Sequence, residues 1–107
     1  MSSSDEDVIM DIKKKIVNDF LDLLILLHLY FNEGSFSGYD VLKHLQDKYG
    51  LFLSPGTVYS CLYNMERQGF LRGFQRDRRR VYALTKHGVE MAQAIIKNKG
   101  KILNLFS

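Results

Sequence analysis

Apolar residues recur at helical spacing in the first third of the chain, where Leu23, Leu24, Leu27, Tyr30 and Phe31 share one side. The spacing predicts a long helix that begins at Val8 or Val17 and ends at Asn32. Glu33-Gly34-Ser35 stops it, with Gly34 as the cap. A second helix opens at Ser37, and Asp40 three residues on can complete a capping box. Val41, Leu42, Leu45 and Tyr49 form its apolar face, and Gly50 stops it. Leu51-Phe52-Leu53 reads as a short extended connector. Ser54 then caps a third helix. Pro55 takes its first position, where a missing N–H costs nothing. This helix runs to about Gln68 and is capped by Gly69. The pattern changes to short strands over Phe70–Gln75 and Arg80–Leu84, joined by the polar tip Arg76-Asp77-Arg78-Arg79. Thr85 caps a last helix that continues to about Leu105, loosened at Gly100. The serine- and acid-rich start, residues 1–10, is expected to fray.

The order helix, helix, helix, hairpin, helix is that of a winged helix-turn-helix. The fold class is mainly α (α+β), one domain over residues 1–107, with a two-stranded wing. In the third helix Val58, Cys61, Leu62 and Met65 gather on one side at 100° per residue. Gly56, Ser60, Tyr63 and Arg67 lie opposite, flanked by Thr57, Tyr59 and Asn64. Hydroxyls, an amide and one cation can bond phosphates and base edges. Glu66, the helix's one acid, falls near the buried flank. With Ser54 at the helix N-terminus, whose dipole favours an anion, these residues form the candidate DNA-reading surface. The plainer alternative is a solvated polar face. Against it, generic surface helices carry several Lys and Glu, and this face has neither.

Charge sharpens this picture by its placement. The net charge is only +3, weak evidence for a polyanion partner. Residues 1–11 hold Asp5, Glu6, Asp7 and Asp11 and no base. Residues 67–80 hold Arg67, Arg72, Arg76, Arg78, Arg79 and Arg80 against Asp77 alone. Arg76, Arg78, Arg79 and Arg80 at the hairpin are candidate phosphate or minor-groove contacts. They could instead serve only to keep an edge hairpin soluble.

These segments resemble the PadR family of transcriptional regulators. Ser54-Pro55-Gly56-Thr57-Val58-Tyr59, then Leu62, Met65-Glu66 and Gly69-Phe70-Leu71, are similar to that family's recognition helix. Tyr82-Ala83-Leu84-Thr85-Lys86-His87-Gly88 resembles its wing exit. Gly38-Tyr39-Asp40-Val41-Leu42 resembles its second helix, and Leu21-Asp22-Leu23-Leu24-Ile25-Leu26 its first. The resemblance spans about residues 20–95. It implies homodimers on palindromic operators, usually as repressors. The family often carries a longer C-terminal dimerisation domain, so one helix after the wing would make this a minimal member. Small PadR-like proteins also serve in plasmid partition by spreading along DNA, so the fold leaves the biology open.

A chain of 107 residues has a thin core that a second subunit would extend. Val89, Ala92, Ile95, Ile96, Ile102, Leu103 and Phe106 form an apolar stripe on the last helix. One reading folds this helix back over the first. The other makes residues 86–107 a dimerisation helix that packs on its mate and on the mate's Leu23 and Leu27. Nothing suggests an enzyme, a cofactor or a metal site: there is no phosphate-cradling glycine loop, CxxC, HExxH or plausible triad. His28, His44 and His87 are scattered, and His28 reads as a core or interface residue. Cys61 reads as a small buried hydrophobe, with a thiol sensor as the alternative. The acidic start reads as a solvated tail before a metal site. No signal peptide is visible. The apolar run Phe20–Phe31 is too short to span a bilayer, so a cytoplasmic protein is expected. The partners expected are double-stranded DNA and a second copy, with any small-molecule effector unknown. A protein-interaction winged helix without DNA is a further alternative, which the arginine tip argues against.

Overall fold

Residues 4–107 are described in a computed structural model, and helix is present almost from the first of them. α1 spans Asp5–Asp19. Ser4 Oγ accepts the Asp7 N–H at 3.1 Å, and Asp7 Oδ2 accepts the Ser4 N–H at 3.4 Å. This capping box, with Asp5, Glu6 and Asp7 in the positive first turn, makes the acidic run a helix start. The expected fraying over residues 1–10 is therefore corrected from Ser4 onward; residues 1–3 lie outside the described residues. The expected single helix is also two. Phe20 leaves helical geometry (φ −118°, ψ 29°), and α2 runs Leu21–Phe31. Hydrogen bonds from Phe20 N to Ile16 O and from Leu24 N to Phe20 O bridge the bend.

α2 ends without Gly34. Asn32 Nδ2 donates to the His28 carbonyl at 2.8 Å and takes the capping role. Gly34 lies beyond it, in the loop that leads to a strand not anticipated from sequence. This β1, Phe36–Ser37, pairs antiparallel with β3 (Arg79–Leu84), Phe36 opposite Tyr82 and Ser37 opposite Val81. β2 (Leu71–Arg76) flanks β3 on the other side, so the sheet order is β1-β3-β2. α3, Gly38–Tyr49, has the capping box expected of Ser37 and Asp40, and Gly50 ends it in the left-handed region. α4, Pro55–Arg67, is the third helix of the sequence reading. Ser54 occupies its N-cap position but makes no side-chain cap bond. At the other end Gly69 adopts φ +86°, and the N–H groups of Gly69 and Phe70 return to the carbonyls of Glu66 and Met65. This is a Schellman closure.

The wing turns on two residues. Asp77 and Arg78 both have positive φ (50° and 66°), as a type I′ hairpin requires, and Arg76 pairs with Arg79. The tip is therefore tighter than the four residues expected. α5, Lys86–Lys97, starts from Thr85, whose Oγ accepts the Gly88 N–H and donates to the Gly69 carbonyl. α5 packs against α2. The core is built of Val17, Ile25, Leu26, Leu29, Val41, Leu45, Val58, Leu62, Met65 and Leu71, with Ala92 of α5 sealing it. The last helix breaks at Asn98 (φ −104°, ψ 14°) and not at Gly100; Asn98 Nδ2 donates to the Ala94 carbonyl. α6, Lys99–Asn104, is exposed throughout.

Candidate nucleic-acid interface

α4 meets the core with Val58, Leu62 and Met65. That leaves Ser54, Gly56, Thr57, Tyr59, Ser60, Tyr63, Asn64 and Arg67 exposed, as the helical spacing requires. They do not form one uniform surface. Ser54, Gly56, Thr57, Ser60 and Asn64 line an open groove against the bend between α1 and α2. Asn18, Asp19 and Asp22 form its other wall. Those two carboxylates were not foreseen beside α4, because nothing local in the sequence brings the bend there. They make this flank of the helix unfavourable for a phosphate. Tyr59 turns the other way. Its ring lies against Gly38, where a Cβ would meet it, and it shares a second groove with Tyr39, Arg79, Arg80 and Tyr82. Tyr63 stands at the crest with the Arg67 guanidinium 5.8 Å from its ring centre.

The hairpin arginines divide into two kinds. Arg76 donates to Ser35 Oγ at 2.9 Å, and Arg80 donates to Glu66 Oε2 at 2.5 Å. That bond, together with the Glu66 charge, holds the Arg80 pKa above even its usual high value. Arg78 at the turn and Arg79 beside it make no ion pair among the described residues. Arg79 contributes to keeping the Asp40 carboxyl below the usual carboxylate range, after the hydrogen bond from the Ser37 N–H. Strand alternation also puts Arg72, Phe74 and Arg76 on one side of β2. Both guanidinium groups lie within 5.5 Å of the Phe74 ring, Arg72 at 5.3 Å and Arg76 at 5.4 Å. The arginine–aromatic–arginine alternation was readable in the sequence.

The other candidates settle as follows. His28 and His44 stack between α2 and α3 at 3.5 Å and 12°. Burial, then the charges of His44 and Lys48, lower the His28 pKa to about 4; burial and Lys48 lower that of His44. Burial and then Asp22 push the Cys61 thiol up to about 11. That opposes the thiolate a redox sensor needs. No group of three metal-ligating side chains occurs among the described residues, nor any helix long and apolar enough to cross a membrane. Of the expected dimer residues, Leu23, Leu27, Val89, Ile95 and Ile96 are half-buried, and Ile102, Leu103 and Phe106 are exposed. Ala92 is fully buried in the chain's own core, so it is not an interface residue. Sequence reasoning passed over Val8, Ile9, Ile12, Ile16 and Phe20, all exposed on α1 and its end.

The profile described as "Transcriptional regulator PadR-like family" matches residues 25–94. The transcriptional activator GvpE1 of Halobacterium salinarum is 33% identical over 81 residues, which cover 76% of this chain and 42% of that protein. The chain thus matches less than half the length of this relative. A PadR-like transcriptional regulator from Bacillus cereus superposes with a TM-score of 0.67 at 20% identity, covering 87% of this chain and 97% of that one. TubR from Bacillus thuringiensis serovar israelensis, solved bound to 24 bp of tubC, superposes at 0.59 with 21% identity, covering 82% and 91%.

Proposed function

The chain belongs to the PadR-like family of transcriptional regulators, and on that premise we propose that it binds double-stranded DNA in the cytoplasm as a homodimer. α4 enters the major groove and the β2–β3 wing grips the flanking backbone. The observation that carries this reading is an exposed face of α4 with Tyr63 and Arg67 at its crest and Asn64 on the adjoining flank, beside a wing tip whose Arg78 and Arg79 have no ion-pair partner among the described residues. Groups that can read base edges thus stand next to groups that can bind phosphate. The acids of the α1–α2 bend steer the backbone toward the wing side of α4.

Support for the dimer comes from shape. The radius of gyration is 15.1 Å, against about 13 Å for a compact chain of this length. The apolar side chains of α1 and α6 stand exposed on this extended body. Two copies related by a two-fold axis would read a palindrome, and the dimer would act as a repressor where that site overlaps a promoter. The name of the Halobacterium relative favours activation as a second reading. TubR, of similar fold, was solved bound to 24 bp of tubC, which supports duplex binding; spreading along DNA is the alternative to a discrete operator.

Selection of bound sequences from random duplex, followed by footprinting, tests the proposal. A regulator protects a discrete palindrome; a spreading protein protects a stretch that lengthens with concentration. No enrichment at all would remove sequence-specific binding.

A further inference from the structure

We propose that Arg80 is a positioning residue that ties the wing to α4 through Glu66, crossing strand β2 at Gly73, and that it does not hold a DNA phosphate. The inference rests on the DNA-binding reading above. Arg80 sits on β3 opposite Gln75, and Gly73 lies two residues along β2, opposite Tyr82. The Arg80 side chain runs diagonally over that glycine. A Cβ placed on Gly73 would lie 2.6 Å from Nη2 and 2.9 Å from Cζ and Nε. The guanidinium therefore rests on bare backbone, with the Tyr82 ring centre 5.8 Å from Cζ, and its Nη2 donates to Glu66 Oε2 at 2.5 Å.

Two otherwise awkward features then have one cause. A glycine inside a strand weakens it unless something must pass close by, and Gly73 has no positive φ that would call for glycine. The close approach of Arg80 is what its missing side chain permits. An acid on a DNA-reading helix repels phosphate, and Glu66 is the only one α4 carries. Arg80 neutralises it and converts it into an anchor for the wing. The contact fixes how far Arg78 and Arg79 stand from α4, which sets which phosphates they reach. A wing held in place beforehand also loses less conformational freedom on binding. Because the pair is partly solvated, its effect on folding stability is small.

The sign of one substitution separates the two roles. If Arg80 holds a phosphate, Glu66→Gln removes a nearby negative charge, frees the guanidinium and tightens binding. If Arg80 anchors the wing, Glu66→Gln weakens binding by about threefold to tenfold. Gly73→Ala, which displaces the guanidinium without straining the backbone, does the same. The Glu66→Gln/Gly73→Ala double variant then loses no more than either single one, since both break one contact. Arg80→Gln lowers affinity but leaves the slope of log affinity against log salt unchanged. A second reading needs no DNA: amide hydrogen exchange over residues 74–81 of the free protein should quicken in Glu66→Gln and in Gly73→Ala. Tighter binding by Glu66→Gln, with a slope reduced by about 0.9 per wing in Arg80→Gln, would overturn the proposal and make Arg80 a phosphate contact. Should the wild type bind no duplex, the DNA reading fails by itself. Unchanged exchange in both variants would then overturn the wing anchor independently.

Discussion

Arg78 shows how much one residue's surroundings decide. Its neighbours Arg76 and Arg80 are engaged by Ser35 and Glu66, while Arg78 stands at the turn with φ 66° and no ion pair among the described residues. Its charge is thus available to a phosphate. Arg78→Ala should reduce the salt slope of DNA affinity by up to about 1.8 in a two-winged dimer, with little change in folding stability. An unchanged slope would turn the wing tip away from DNA. His28 and His44 give a second residue-scale expectation. The folded His28 titrates near 4 against an ordinary 6.5, because burial and the stacked His44 oppose its charge. Between those values the unfolded chain binds more protons. Stability is therefore full above pH 6.5 and falls as pH drops toward 4. Melting temperatures at pH 7 and pH 4.5 should differ less in His28→Phe than in the wild type; equal differences would show that the stack does not govern this window. At this scale the sequence identified which side chains are exposed on α4, because helical spacing alone determines that. It could not show that Arg76 and Arg80 are held by Ser35 and Glu66, which reach them only through the folded sheet.

Among the elements, capping chemistry was the most legible signal. Ser37 with Asp40, Pro55 at the start of α4, Gly69 after it and Thr85 before α5 all stand where local rules put them. The misses have physical causes. Ser4 with Asp7 is the same capping box as Ser37 with Asp40, but the acidic composition around it suggested a tail. β1 has two residues, too few for alternation to register, and it exists because β3 offers it an edge. Gly88 makes the packing of α5 testable. A Cβ there would run into the Phe70 carbonyl, and that oxygen already accepts the Thr85 N–H, so the backbone cannot yield. Gly88→Ala should destabilise the fold by about 1–3 kcal/mol. Gly100→Ala, with nothing within 4 Å, should be neutral or slightly favourable. Denaturant midpoints for the two variants check this; equal midpoints would mean that α5 does not dock as tightly as described.

For the whole molecule, the winged architecture was legible because α3, α4, the hairpin and the start of α5 each announce themselves locally. The division of the last helix was not. Its stripe looked continuous from Val89 to Phe106, but Ala92 seals the chain's own core while Leu103 and Phe106 remain 66% and 81% exposed. Periodicity cannot tell an apolar face that meets its own chain from one left for another. The exposed apolar residues of α1 and α6 predict a species of about twice 12.4 kDa by light scattering at micromolar concentration. Ile12→Asp together with Leu103→Asp should return it to one chain. A wild-type monomer at that concentration would contradict the dimer. If α4 reads base sequence, the exposed amide of Asn64 is among the groups that do so. Affinities of the wild type and Asn64→Ala should be measured on the selected duplex and on a scrambled one. The expected result is a loss of about 1–3 kcal/mol on the selected site and far less on the scrambled one; no loss on either would take α4 out of the groove.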